Sequence, residues 1–156
     1  MNVAGVIPHL VVHDGLAALE FYQKALGAEV AYQVPSPDGK RLMHASLSIN
    51  GGGFMLCDDF PEYCGGQARA PKTTGVSGVT MHLNVPDCDA AVARMAEAGG
   101  TSVMPPEDMF WGDRYGKVTD PFGHEWSFAT RISEERTAAA AKKFEEWQAS
   151  MAAAPA

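Results

Sequence analysis

The chain has 156 residues, of which 46% are hydrophobic and 20% charged, and this length and composition predict one globular domain. Its 12 Lys and Arg against 19 Asp and Glu give a formal net charge of -7, which argues against nucleic acid or an anionic membrane surface as a partner. No apolar run approaches the roughly 18 residues of a membrane span, and the first residues lack a signal-peptide pattern.

An internal repeat organises the chain. Residues 6–27 resemble residues 79–100 at a constant offset, and paired polar and glycine positions make a duplication more plausible than chance similarity. The pairs are His9 with His82, Asp14 with Asp87, and Gly27 with Gly100.

Each copy begins with a predicted strand, in which polar and apolar residues alternate, followed by a helix. Asp14 and Asp87 are predicted N-caps, and glycines end both helices. Three further strands are predicted in each copy, at residues 29–34, 41–49 and 54–58 and at residues 101–104, 114–119 and 124–130. The sequence therefore predicts an α+β fold of two βαβββ units.

Two segments lie outside these units. Residues 61–78 are rich in Gly, Pro and Thr and are predicted to be a linker or a flexible flap over a pocket. An amphipathic helix is predicted at residues 133–151, packed on its own domain or against a second subunit. The predicted division is one domain over residues 1–132, holding repeats 5–60 and 76–130, then this helix, then a disordered tail over residues 152–156.

Two tandem βαβββ units that end in DPFGHEW resemble the vicinal oxygen chelate superfamily, which includes glyoxalase I, bleomycin-resistance proteins and extradiol dioxygenases. The segments HDGLAALEFYQKALGAE and KRLMHASLSINGG, with the final Glu-rich helix, are similar to its PhnB-like branch. The resemblance covers about residues 5–145. It implies a curved mixed sheet with helices on the convex side, a ligand cleft on the concave side, and a homodimer.

Metal-dependent members of that superfamily take one ligand from the first strand and a glutamate from the last strand of each unit. The resemblance places these four positions at Ile7, Met55, Thr80 and Ser127. None of these side chains is a strong ligand for a divalent cation, so we expect the metal site to be lost and no metal cofactor to be bound.

Side chains alternate across a strand, so His9 and His82 share the face of those lost positions. If the closing hairpin pairs symmetrically about Pro121 and Phe122, Arg114 also joins that face, whereas Tyr115, His124 and Trp126 face away from it. The predicted ligand-binding residues are His9, His44, Met55, His82, Trp111, Arg114 and Ser127. The predicted cavity wall also includes Cys57, Asn84 and Glu125.

Three functions remain open from these residues. The first is metal-independent binding of a small aromatic or amphipathic molecule, as in bleomycin-resistance proteins. The second is a glyoxalase-like lyase or isomerase, or a dioxygenase-type enzyme, that uses His9, His82 or Glu125 as acid or base. One version of this enzyme would hold zinc at a relocated site formed by His9, His44, His82 and Glu125. The third is a structural homodimer without ligand. The three cysteines follow no disulfide or metal spacing, so we expect free thiols and a cytoplasmic location.

Overall fold

The computed structural model describes residues 5–154 and arranges them as two units of one strand, one helix and three strands. The first unit consists of β1 (His9–Val12), α1 (Gly15–Leu26), β2 (Glu29–Pro35), β3 (Leu42–Ile49) and β4 (Gly52–Asp58). A short α2 (Pro71–Thr74) lies between the units. The second unit consists of β5 (Thr80–Asn84), α3 (Cys88–Glu97), β6 (Thr101–Asp108), β7 (Asp113–Thr119) and β8 (Glu125–Arg131), and α4 (Glu134–Ala152) follows. The predicted α+β fold of two βαβββ units is confirmed.

Each unit forms a four-stranded mixed sheet, with strand orders β1-β4-β3-β2 and β5-β8-β7-β6. The first strand runs parallel to the last in both units, and the other pairs are antiparallel. The registers repeat, because His9 lies opposite Met55 and His82 lies opposite Ser127. Met55 and Ser127 therefore occupy equivalent positions in the two units.

Both helices begin as their local sequences indicate and α1 ends at its glycine, whereas the C-cap of α3 is Ala98 in a right-handed conformation. The carboxylates of Asp14 and Asp87 accept hydrogen bonds of 3.0 Å from the N–H groups of Ala17 and Ala90, which satisfies one free donor in each first turn. Gly27 ends α1 with φ at 66°, a left-handed conformation that glycine adopts without a steric penalty.

The helix-facing sides of both sheets share one hydrophobic core. Tyr22 of α1 lies with its ring centroid 5.2 Å from that of Phe54 on β4 and 5.4 Å from that of Trp126 on β8. The opposite side of each sheet therefore points away from the core. We call these sides the first open face, with His9, Tyr32, His44, Met55 and Cys57, and the second open face, with Thr80, His82, Tyr115, Lys117, Glu125 and Ser127.

Asp120 connects the closing turn to the core. Its Oδ1 accepts hydrogen bonds of 2.9 Å from the N–H groups of Phe122 and His124. Its Oδ2 accepts from the Tyr22 hydroxyl at 2.6 Å and from the Trp126 indole at 2.8 Å. Burial and the Asp120 carboxylate raise the pKa of Tyr22 well above its usual range. The DPFGHEW turn therefore joins the two units through one buried carboxylate.

The hairpin register differs from the predicted one by one residue. Thr119 lies opposite Glu125, so the turn is centred on Phe122, and Arg114 lies opposite Thr130. The two hydrogen bonds to Asp120 Oδ1 close a five-residue turn in place of the symmetrical one expected. Because side chains alternate, this shift moves Arg114 from the second open face to the helix-facing side.

The predicted flap is anchored over its second half. Oδ2 of Asp59 accepts hydrogen bonds of 2.8 Å from the N–H groups of Arg69 and Ala70, and Ala70 and Pro71 are buried. This segment therefore packs against the domain as an ordered connection.

The C-terminal helix lies on the surface. No residue of α4 is buried, and Ala152, predicted as tail, is its last helical residue; residues 155–156 of that predicted tail lie outside the described residues. Within residues 5–154, no helix combines the length and the apolar character needed to cross a membrane.

Candidate functional site

Polar side chains form two hydrogen-bonded groups on the second open face. Oε1 of Glu125 accepts from the Thr80 hydroxyl at 2.5 Å and from the Lys117 ammonium at 2.8 Å. Nδ1 of His82 and Oγ of Ser127 share a hydrogen bond of 2.8 Å. Lys117 lies directly opposite Ser127 in the β7–β8 ladder, so the two groups are neighbours. The ion pair lowers the pKa of Glu125 and raises the pKa of Lys117, which keeps both charged at neutral pH.

An aromatic surface adjoins these polar groups. The Tyr115 ring stacks on His82 at 6.1 Å between centroids, and Trp111 meets Tyr115 edge-on at 5.6 Å. Trp111 is 46% exposed, so a planar molecule has access to this surface. The expectation that Tyr115 faces away from the cleft is wrong, because the one-residue register shift that displaces Arg114 also moves Tyr115 to the second open face.

Arg114 has a structural role on the helix-facing side. Its guanidinium forms a bidentate pair with Asp89 of α3, with Nη2 2.7 Å from Oδ1, and a further bond of 3.1 Å to Asp108 of β6. The Arg114 bonds lower the pKa of the Asp89 carboxyl, and hydrogen bonds from Arg136 and then Arg114 lower the pKa of the Asp108 carboxyl. The prediction that Arg114 lies on the cleft side is therefore wrong.

A cavity of about 350 Å³ lies beside His82, where the second sheet meets the first. This volume falls at the lower end of the roughly 300–1,000 Å³ typical of small-molecule sites. Its wall includes Gly53, Phe54, His82, Asn84 and Trp126. Asn84 was predicted to line the cavity, and its backbone carbonyl accepts a hydrogen bond of 3.5 Å from the Asn50 side chain.

The first open face is built differently. The His9 and His44 rings meet edge-on at 5.6 Å between centroids, Nε2 of His44 bonds the Ser46 hydroxyl at 2.9 Å, and Tyr32 lies 6.2 Å from His44. Burial, His44 and Arg69 lower the pKa of His9, so its imidazole is neutral at pH 7.

Cys57 is an unreactive thiol on this face. The side chain is buried, and burial raises the pKa of the Cys57 thiol, which disfavours the nucleophilic thiolate. Met55, the equivalent of Ser127, is partly buried beside it and supplies an apolar surface.

The family's metal positions do not fit a divalent cation. The Thr80 hydroxyl donates to Glu125, and the Ser127 hydroxyl shares a hydrogen bond with His82. The side chains of Ile7 and Met55 offer no strong ligand. Over residues 5–154, no three His, Cys, Asp or Glu side chains converge as ligands. The relocated zinc site considered from the sequence is not assembled within one chain, because its members belong to different faces: His9 and His44 to the first, His82 and Glu125 to the second.

Sequence reasoning missed Lys117 and Tyr115, the two β7 side chains that complete the second open face. The signal that identifies them is the turn register, which depends on Asp120. His124 and Trp126 face the core as expected, and Nε2 of His124 bonds the Val11 carbonyl at 2.9 Å.

Comparisons with known proteins extend this picture. The family model described as Glyoxalase/Bleomycin resistance protein/Dioxygenase superfamily matches residues 5–128. The uncharacterized protein Rv0887c of Mycobacterium tuberculosis is 51% identical over 127 residues, which cover 81% of this chain and 74% of that protein. The X-ray structure of the Arabidopsis thaliana protein At5g48480 superimposes with a TM-score of 0.64 at 32% identity, covering 81% of this chain and 98% of that one. A superfamily member from Sphaerobacter thermophilus superimposes with a TM-score of 0.60 at 25% identity, covering 84% and 100%.

Proposed function

The chain belongs to the glyoxalase/bleomycin resistance protein/dioxygenase superfamily, and we propose that it binds a small planar aromatic or amphipathic molecule at the second open face without a metal ion. One fold of this kind hosts many activities, so the proposal depends on the site and not on the family. Binding of this type would sequester a metabolite or an antibiotic.

One observation carries the proposal: an accessible aromatic wall stands beside a polar floor on the same face. Tyr115 and Trp111 supply the wall, and His82 and the Lys117–Glu125 pair supply hydrogen-bonding groups. Small-molecule sites combine an apolar wall with a few polar anchors in this way.

The test is a thermal-shift screen of planar aromatic compounds in the presence of EDTA. A ligand that binds the folded state raises the melting temperature, and the rise grows with the logarithm of its concentration above the dissociation constant. We expect hits that persist in EDTA and lose several-fold in affinity in Lys117→Met. The matched control is Lys24→Met, an exposed lysine of α1, which lies on the helix-facing side and forms none of these hydrogen bonds. A screen without hits, or equal affinity in both variants, contradicts the proposal.

A second candidate function is acid–base catalysis at the same face. The His82–Ser127 hydrogen bond favours it, because the hydroxyl fixes the orientation of the imidazole ring. Turnover of a hemithioacetal by metal-free protein, abolished in His82→Asn with folding intact, is the expected result for a glyoxalase-like enzyme. Absence of turnover leaves binding as the function.

We further propose a homodimer in which a second copy covers the open faces. Tyr32 on the first face is 61% exposed and Trp111 beside the second is 46% exposed, which is a large aromatic area for an isolated chain. Sedimentation at micromolar concentration tests this, with a monomer as the contradicting result. A dimer that binds no compound in the screen favours the purely structural alternative.

Two finer assignments rest on the sequence. The quoted motifs favour the PhnB-like branch, and a PhnB protein from Bacillus cereus shares the fold at 14% identity. The free thiols Cys57, Cys64 and Cys88 suit the reducing cytoplasm, and protein recovered from a cytosolic fraction is the expected outcome of fractionation.

A further inference from the structure

The C-terminal helix is an addition to the matched family region. The family match ends at residue 128, and α4 begins at Glu134. Two ion pairs attach α4 to β6: Arg136 bonds Asp108 at 2.6 Å, and Lys143 bonds Glu107. These exposed ion pairs and the stacking of Phe144 on Phe110 hold the helix, and no residue of α4 is buried.

A cavity of about 210 Å³ remains between α4 and the β6–β7 connection. Its walls are formed by Met109, Phe110, Ala140, Phe144 and Trp147, and its rim by Glu107, Asp108 and Lys143. We call this cavity the α4 cleft.

The aromatic side chains that line the α4 cleft stay partly exposed to solvent although they pack against one another. Phe110 stacks on Phe144 at 4.3 Å between centroids, and Phe144 stacks on Trp147 at 5.7 Å. Phe110 nevertheless stays 42% exposed and Trp147 55% exposed. Burying such aromatic surface against a ligand is favourable, at about 25 cal/mol per Å² of apolar area.

The rim charges favour an uncharged occupant. Lys143 is paired with Glu107, and Asp108 is paired with both Arg136 and Arg114, so each charge at the rim already has an opposite partner. A charged ligand would have to displace one of these pairs, whereas a neutral ring meets only apolar walls.

We propose that the α4 cleft is a second small-molecule site, which takes a neutral planar aromatic molecule of one or two fused rings. The cleft is smaller than the roughly 300–1,000 Å³ of sites for drug-sized molecules, and this limits the ligand to one or two rings. The site adjoins the second open face, because Phe110 meets Trp111 edge-on at 5.1 Å between centroids, but Trp111, Tyr115 and His82 do not line the cleft. The proposal does not depend on the function proposed for that face.

Indole is the probe for this site. Its binding is measured by calorimetry and by NMR shifts of the Trp147 indole N–H in the full-length protein. In Ala140→Leu a longer side chain enters the cleft, and we expect at least a tenfold loss of indole affinity. Ala139→Leu is the control, because it makes the same change at the adjacent exposed position of α4, which does not line the cleft.

Further variants make the outcomes distinguishable. Trp147→Ala, which removes one wall, is expected to weaken indole binding by several-fold, whereas Tyr32→Ala on the first open face leaves it unchanged. Equal indole affinity in Ala140→Leu and Ala139→Leu overturns the proposal. So does a protein that binds no indole but changes its oligomeric state in Trp147→Ala, because a second copy of the chain is then the occupant.

Discussion

Each unit places a histidine at the same point of its first strand, and the two histidines have different neighbours. His9 lies opposite Met55 in the β1–β4 ladder, and His82 lies opposite Ser127 in the β5–β8 ladder. A thioether is a weak hydrogen-bond acceptor, and His9 packs edge-on against His44. A hydroxyl is a strong partner, and His82 bonds it at 2.8 Å.

This difference teaches that the neighbouring strands, and not the repeated histidine, determine the chemistry of each open face. On the second face, β7 adds Lys117, whose ion pair with Glu125 supplies charge, and Tyr115, which supplies a ring. On the first face, β3 adds a second imidazole, and the thiol of Cys57 stays protonated. The two repeated units thus carry one surface with an ion pair and aromatic rings and one imidazole-rich surface.

The largest expected effect tests whether the two units depend equally on their buried carboxylates. Asp120→Ala leaves four donors without an acceptor, and we expect a loss of about 4 kcal/mol in the free energy of unfolding, since each buried orphan costs roughly 1–3 kcal/mol. Asp58→Ala orphans only the N–H groups of Gly15 and Leu42, and we expect about half that loss. Urea unfolding measures both, and equal losses would contradict the asymmetry.

The bond between Tyr22 of the first unit and Asp120 of the second is tested at alkaline pH. The folded state raises the pKa of Tyr22 above its unfolded value of about 10, so this stabilisation is complete below pH 10 and is lost as the pH rises through the folded pKa. We expect the melting temperature to fall above pH 10 in the wild type and less steeply in Tyr22→Phe. Tyr32→Phe, at an exposed tyrosine, is the control and keeps the wild-type slope.

Replacing one tyrosine on each open face shows which face binds the ligand. Tyr115→Ala removes the ring that stacks on His82, and we expect a loss of up to about tenfold in affinity for a planar ligand, since an aromatic pair contributes about 0.5–1.5 kcal/mol. Tyr32→Ala removes the ring beside His44 on the first face and leaves the affinity unchanged. Calorimetry with a hit from the screen decides, and a larger loss in Tyr32→Ala would move the site to the first face.

The smallest effect concerns the imidazole pair of the first face. His44 and Arg69 both contribute to lowering the pKa of His9, after burial. His44→Ala removes one of these contributions, and we expect the pKa of His9 to rise, as followed by NMR of its ring protons. His82→Asn is the control on the other face, and a His9 titration unchanged by His44→Ala would contradict the pairing.

Much of the fold is predictable from the sequence because its determinants are local or repeated. Asp14 and Asp87 bond N–H groups three residues away, and this geometry follows from sequence spacing alone. Alternation along β1 and β5 likewise assigns His9 and His82 to one face. The equivalence of Met55 and Ser127 follows from the repeat.

The site is less predictable because its composition depends on one long-range contact network. Asp120 has partners in α1, in its own turn and in β8, and that network sets a hairpin register one residue away from the symmetrical one. A one-residue shift exchanges the faces of β7, so Lys117 and Tyr115 replace Arg114 on the second open face.

By itself, therefore, the sequence determined the two βαβββ units, their N-caps and the shared histidine positions, because each depends on residue type and short-range spacing. For the same reason it determined that Ile7, Met55, Thr80 and Ser127 are not strong metal ligands. Only the tertiary structure decided which side chains meet on each face and where the cleft between α4 and the β6–β7 connection lies. These features depend on strand register and on contacts between distant segments, whose energies are set by packing and hydrogen bonding and not by local sequence.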